Sequence, residues 1–230
     1  MREENRRVHK MNDSLLNRMP TNFVIADTSV RLVTDSIPND TLGRVRHFIW
    51  RDAQVMYNTV NSEKNYLQIN KGSSNGVRDE MGVFSSDGSL VGKVINVSPN
   101  FSQVMSLLHV QNKASVLVKK TGHAGIISWD AKDPRFLLLN NIPKSDSIAM
   151  GDTIITGNYS ISIPPGMMVG RVAEIIQDNT TNFYVLKIRT GANFQSLQQV
   201  FVVENLQYDE QTKLLEETRK KVDDPKRNTR

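Results

Sequence analysis

"QINKGSSNGVRDEMGV", from Gln68 to Val83, admits two readings, and they lead to different folds. Gly72 and Gly76 stand four apart behind Lys71, with Ser73 and Ser74 between them. A phosphate-cradling loop needs five residues from the first glycine to the second, then Lys and Ser or Thr, and it must open a helix whose amides face the anion. Here Val77 and Arg78 follow Gly76, and the stretch lies between two short apolar runs. Glycines so placed serve turns between strands. The turn reading makes this an all-β chain.

Working outward, residues 53–203 are a succession of short runs rich in Val, Ile, Leu and Phe. They are "AQVMYNTV", "NYLQIN", "GVFSS", "LVGKVINV", "QVMSLLHV", "ASVLVKK", "AGIISW", "RFLLLNNI", "DTIITG", "MVGRVAEII", "FYVLKIR" and "VFVVEN". Gly, Pro, Asn, Asp or Ser separates most of them, and "SSDGS" reads as an Asp-Gly hairpin turn. Such spacing argues for a sandwich or barrels rather than βαβ units.

The span echoes itself. "LVGKV" at Leu90 returns as "MVGRV" at Met168. Val77, Val83 and Phe84 match Ile148, Ile154 and Ile155 in spacing, and Asn100-Phe101 matches Asn182-Phe183. The second copy carries seven more residues, supplied by "GNYSISIPPG". Two related β units follow, each a small barrel or half-barrel, with Phe101 and Phe183 as equivalent core anchors.

Both ends differ from this body. In residues 1–20, Val8, Met11 and Leu15 fall at a, d, a spacing with Leu16 and Met19 beside them, and Pro20 stops the helix. This is either a coiled-coil stub that self-associates through Val8, Met11, Leu15 and Met19, or an amphipathic helix packing on its own domain. The opening reads as the middle of a helix, as if the chain began inside a longer one. Residues 21–52 read as a linker with strands, around "SVRLVT" and "RVRHFIW". Residues 53–206 are the tandem β core. Residues 207–230 form a charged tail, a solvated helix at most and otherwise disordered.

Chemistry is sparse. The chain has 230 residues and no cysteine, hence no disulfide framework and no thiolate ligand or nucleophile. Its net charge of +5 is thin: residues 21–206 hold 17 basic against 15 acidic groups, with no clustered patch for nucleic acid. No two histidines have metal-ligand spacing, and no acidic cluster resembles a calcium loop. The double barrel raises a chymotrypsin-like hydrolase, but Gly151-Asp152-Thr153-Ile154 has Thr and Ile where Gly-Asp-Ser-Gly is needed. That hydrolase and a nucleic-acid-binding barrel stand as the alternatives to a non-enzymatic protein without cofactor or metal.

Taken in order, "NKGSSNGVRDEMGV", "DGSLVGKVINVSPNFSQVMSLL", "VKKTGHAGIISWD", "IPKSDSIAMGDTIITG", "IPPGMMVGRV" and "FYVLKIRTGANFQSLQQVFVV" resemble the rod-shape-determining MreC family. The resemblance implies two six-stranded-type β-barrels, chymotrypsin-like but without a triad, behind a coiled coil and a single transmembrane helix absent from this stretch of chain. It implies a scaffold at the periplasmic face of the bacterial inner membrane. That scaffold maintains rod shape by self-assembling as a homo-oligomer and by binding the class B penicillin-binding transpeptidase of elongation, alongside MreD and MreB. Gly72, Gly76, Gly92, Gly151 and Gly170 are then structural turn glycines, and function lies in surfaces. Thr156-Gly157-Asn158 departs from the family's usual Thr-Ser-Gly, so the contour of that loop is this chain's own.

Overall fold

In the computed structural model, which describes residues 2–19, 23–25, 44–177 and 180–223, all twelve expected runs are strands. Helix α1 (Arg2–Asn17) precedes a two-stranded antiparallel sheet of β1 (Phe23–Ile25) and β2 (Arg44–Arg46). Pro20, "SVRLVT" and the segment after Asp223 lie outside the described residues. The next strand, β3 (Phe48–Asn58), starts earlier than the expected core boundary at Ala53, because Phe48 and Trp50 are buried core residues.

β4 (Lys64–Ile69), β5 (Gly82–Ser85), β6 (Leu90–Val97) and β7 (Ser102–His109) follow. Then come β8 (Ala114–Val118), β9 (Ala124–Ser128), β10 (Phe136–Pro143), β11 (Thr153–Thr156), β12 (Met168–Gln177), β13 (Phe183–Thr190) and β14 (Gln199–Asn205). They close into two six-stranded barrels, ordered β14-β3-β4-β7-β6-β5 and β10-β13-β12-β11-β8-β9. Closure leaves each strand with two neighbours and removes the exposed edges that a short sheet would present.

The echo is a topological repeat with a twist. β3 to β8 and β9 to β14 are two six-strand units in which β5, β6, β7 correspond to β11, β12, β13. β14 sits between β3 and β5, where the second barrel has β8 between β9 and β11. Each unit therefore donates its last strand to the other barrel. The second barrel is continuous in sequence, and the first closes only when β14 pairs with β3, Asn205 opposite Phe48 and Val203 opposite Trp50.

Gly92 and Gly170 occupy equivalent places in β6 and β12. They are strand glycines, not the turn glycines expected: a Cβ on Gly92 would lie 2.1 Å from the Met105 carbonyl oxygen, and one on Gly170 2.2 Å from that of Arg189. Gly72 also serves close approach, its absent Cβ falling 2.1 Å from the Ser98 oxygen. Gly76 and Gly151, with φ of 77° and 88°, are true left-handed turn positions.

The two interiors are filled by alternate residues: Leu67, Ile69, Val83, Val94 and Val104 in the first, and Leu137, Leu139, Ile154, Leu186 and Ile188 in the second, all essentially inaccessible. β14 is buried on both faces over Val200–Asn205: α1, lying on β3, covers Phe201, and Asn205 donates to the Ile161 carbonyl at 2.6 Å. There the His9 ring stacks on Phe201 at 4.3 Å, and Trp50 packs against Phe84 and Phe201. Asn17 exchanges hydrogen bonds with the Trp50 backbone, donating to its carbonyl at 3.2 Å and accepting from its amide at 3.1 Å.

Two expectations are corrected. Phe101 and Phe183 are 43% and 46% exposed: Phe101 precedes β7, and Phe183 opens β13 on the outer face of the barrel wall, so neither anchors a core. The tail is helical over α2 (Tyr208–Asp223) rather than disordered, and exposed as expected. Asp209 and Glu210 in its first turn and Lys220 and Lys221 in its last suit the helix dipole. Acid-to-base spacings of four, Asp209–Lys213, Glu216–Lys220 and Glu217–Lys221, add support.

Candidate interaction surfaces

The opening loop holds no anion site. Ser73–Asn75 is a 3-10 turn whose amides are all committed: Ser73 to the Ser98 carbonyl at 3.0 Å, Ser74 to that of Pro99 at 3.1 Å, and Asn75 to that of Gly72 at 2.9 Å. What the stretch supplies is Arg78. Its guanidinium donates to Glu204 of β14 at 2.5 Å and to Asp209 of α2 at 2.9 Å, while Arg51 of β3 pairs with the other Glu204 oxygen at 2.5 Å. Glu204 is buried, and its hydrogen bond holds the Arg78 pKa above the usual arginine range. This network locks β14 to β3, to the Arg78 loop and to the base of α2.

Thr153 is no nucleophile-in-waiting. Its hydroxyl accepts from Arg171 at 3.1 Å. The histidines are spent elsewhere. His109 is buried against the Tyr66 hydroxyl at 3.0 Å, His9 is in the Phe201 stack, and His47 lies on Phe48. Burial pushes the pKa of each of these three below its ordinary value. Only His123 meets a carboxylate among the described residues, Asp146 at 2.6 Å, and no serine or threonine hydroxyl is hydrogen-bonded to that ring. Among the described residues no group of three or more His, Asp or Glu side chains could hold a metal, and no helix is long and apolar enough to cross a membrane.

The expected seam on α1 is divided. Met19 packs against the core together with Leu16, whereas Val8, Met11 and Leu15 are 45%, 59% and 58% exposed. The helix docks on its own barrel through one face and offers an apolar stripe on another.

A second apolar surface lies on the outer wall of the second barrel, and the register builds it. Ile126 of β9 is opposite Asn140 of β10, and Ile176 of β12 is opposite Val185 of β13. Two residues back along β13, on the same face, is Phe183. Ile126, Ile176 and Phe183 are all substantially exposed. The next row pairs Lys187 with Glu174 at 3.6 Å, and the row beyond it is basic and aromatic: Arg171 faces Arg189 directly, Arg189 faces Phe136, and the Lys187 ammonium sits 4.7 Å above the Phe136 ring. Like charges directly opposite on a sheet are unfavourable in isolation and are relieved by an acidic partner. Arg135 is already satisfied by Asp133, whose carboxyl it pulls down to a pKa of about 2. An apolar field rimmed by arginine and aromatic side chains is the composition of a protein-docking surface. Sequence reading missed it because each strand offers apolar residues to both faces, and only the register separates them.

The architecture is a double β-barrel with two exposed apolar surfaces. The family described as "Rod shape-determining protein MreC, barrel core" matches residues 55–204, and the chain belongs to that family of cell shape-determining proteins. It is 26% identical over 167 residues to the cell shape-determining protein MreC of Listeria monocytogenes, and 28% identical over 179 residues to that of Bacillus subtilis. These alignments cover 71% of this chain but only 56% and 61% of those proteins. The fold is similar to a solved MreC of Listeria monocytogenes, with a TM-score of 0.63 at 24% identity over 89% of each chain. It is also similar to MreC in a complex with the penicillin-binding protein PBP2 from Helicobacter pylori, with a TM-score of 0.53 at 18% identity, covering 69% of this chain and 99% of that one.

Proposed function

We propose that this chain is a non-enzymatic scaffold of the bacterial cell-wall elongation machinery. It works at the periplasmic face of the inner membrane, associates with itself through Val8, Met11 and Leu15 of α1, and docks the class B penicillin-binding transpeptidase of elongation on the second barrel, within the assembly that includes MreD and MreB. The observation that carries this is the apolar row Ile126, Val185, Ile176 and Phe183, left open on the wall of an otherwise closed barrel and bordered by Arg171 and Arg189. The solved pairing of a Helicobacter pylori MreC with PBP2 gives the partner class.

The test is calorimetric titration of the chain into the periplasmic part of the elongation transpeptidase from the same cell. Saturable binding is expected, and Ile126→Lys with Ile176→Lys is expected to weaken it by about tenfold or more, as loss of an interface centre does. Unchanged affinity in that variant would remove the docking surface from the second barrel. No binding by the unaltered chain would overturn the partner assignment.

A further inference from the structure

Among the described residues, the side-chain bonds that tie α2 to the first barrel lie at its base. Arg78 holds Asp209, and the Asn205 amide donates to Gln211 at 2.9 Å; from Lys213 to Val222 every residue is exposed. That free length is about 15 Å of helix, and a helix of this size is marginal in water without something to pack on. Its apolar side chains are far from buried, Leu214 at 65% exposure, Leu215 at 42% and Val222 at 71%. Spacings of four between acid and base account for its charges as a solvated helix, but not for these three residues.

Leu214, Thr218 and Val222 lie four apart, on one ridge of the kind that seats in the groove of a neighbouring helix. At the middle of the ridge the Thr218 hydroxyl donates to the Leu214 carbonyl at 2.8 Å, so no polar group there requires water. The charge pattern is self-complementary about the same point. Residues 208–217 hold four carboxylates against one lysine, and Thr218 is followed by Arg219, Lys220 and Lys221. Set parallel, two such helices place like charges together. Set antiparallel across Thr218, the acidic half of each runs along the basic stretch of the other, with Glu217 and Lys221 on the same flank of the ridge.

We infer that α2 is a second self-association element, pairing antiparallel with α2 of another copy of this chain through Leu214, Thr218 and Val222. It is separate from the stripe on α1, so one copy can be joined to two neighbours through different helices. Extended linkage of that kind needs two such faces.

The chain has no cysteine, so single introduced thiols report the geometry directly. The full chain carrying Met11→Glu and Leu15→Glu, which disable the α1 stripe, is the background. In it, Thr218→Cys is expected to form a disulfide-linked dimer under mild oxidation at least about tenfold faster than Lys132→Cys, an exposed position on the second barrel, because pairing raises the local thiol concentration. Leu214→Cys mixed with Val222→Cys should give the mixed dimer. Leu214→Cys alone should not, since two copies of that position lie about 12 Å apart in the antiparallel pair, beyond disulfide reach. Equal rates for Thr218→Cys and Lys132→Cys would overturn the pairing, and so would self-linkage of Leu214→Cys as fast as that of Thr218→Cys. A slow Thr218→Cys leaves transpeptidase binding untouched, so the two proposals fail separately.

Discussion

Replacing Gly92 by alanine adds one methyl group where the structure has no room for it. The new Cβ would lie 2.1 Å from the Met105 carbonyl oxygen and 3.0 Å from its carbon. An ordinary carbon-to-oxygen contact is about 3.2 Å, so β6 and β7 must part by roughly 1 Å locally, against a normal strand spacing of about 4.8 Å. Both strands are walls of a closed barrel and cannot slide away. The displacement breaks about two ladder hydrogen bonds around the Gly92–Ser106 pair, and each buried group left unmade costs about 1–3 kcal/mol. We therefore expect a loss of about 3–5 kcal/mol, a large part of the stability of an ordinary domain. In thermal unfolding this lowers the midpoint by about 6–20 °C. Gly170→Ala, with 2.2 Å to the Arg189 oxygen, should behave the same way in the second barrel. Gly122→Ala separates space from conformation: φ is +74° there and nothing lies within 4 Å, so only the left-handed penalty of about 1–2 kcal/mol applies. If Gly92→Ala costs no more than Gly122→Ala, the close approach of β6 and β7 is not what the glycine serves, and the equivalence of the two units loses its physical basis.

Glu204→Gln leaves the Arg51 and Arg78 guanidiniums side by side without their shared carboxylate, and should destabilise by about 3 kcal/mol in urea unfolding. Arg78→Ala added to it should cost less than its separate effect, and strict additivity would show that the three groups do not act together. The pH dependence follows from His9, His47 and His109, whose burial lowers their pKa below 6.5. The unfolded chain binds protons near that pH and the folded chain resists them, so this stability is complete above pH 6.5 and is lost as pH falls toward the folded values. Melting temperature should drop between pH 7 and pH 5, less steeply in His9→Phe; a flat profile would mean that these rings are not held neutral by burial.

The twelve strands were legible because alternation and turn residues act over four to nine residues, within reach of any window along the chain. The exchange of last strands was not. "ASVLV" and "VFVVEN" carry the same kind of pattern, and the choice of barrel rests on partners as distant as Glu204 and Arg51. One signal was present: a carboxylate inside the apolar run Val200–Val203-Glu204 demands a buried cation. On α1 the heptad spacing located an apolar stripe, but not that Met19 turns back to the core while His9 and Asn17 dock the helix. The outer wall of the second barrel stayed hidden because a strand shows its faces only through register, and a shift of one residue would exchange them.

The exchanged strands also set a clock. The first barrel waits for β14, and from His109 at the end of β7 to Gln199 at the start of β14 is 90 residues. At about 5–20 residues per second, a ribosome leaves β3 and β5 with unpaired edges for roughly 5–20 s, and the later barrel gains its last strand, which ends at Thr190, only near the close of that interval. During that interval β8 emerges first, and its topological role is the one β14 must play. It carries no acidic residue, so it cannot answer Arg51 and Arg78. The carboxylate of Glu204 thus marks the strand that belongs in the gap, and the nascent chain holds its first barrel open until that mark arrives.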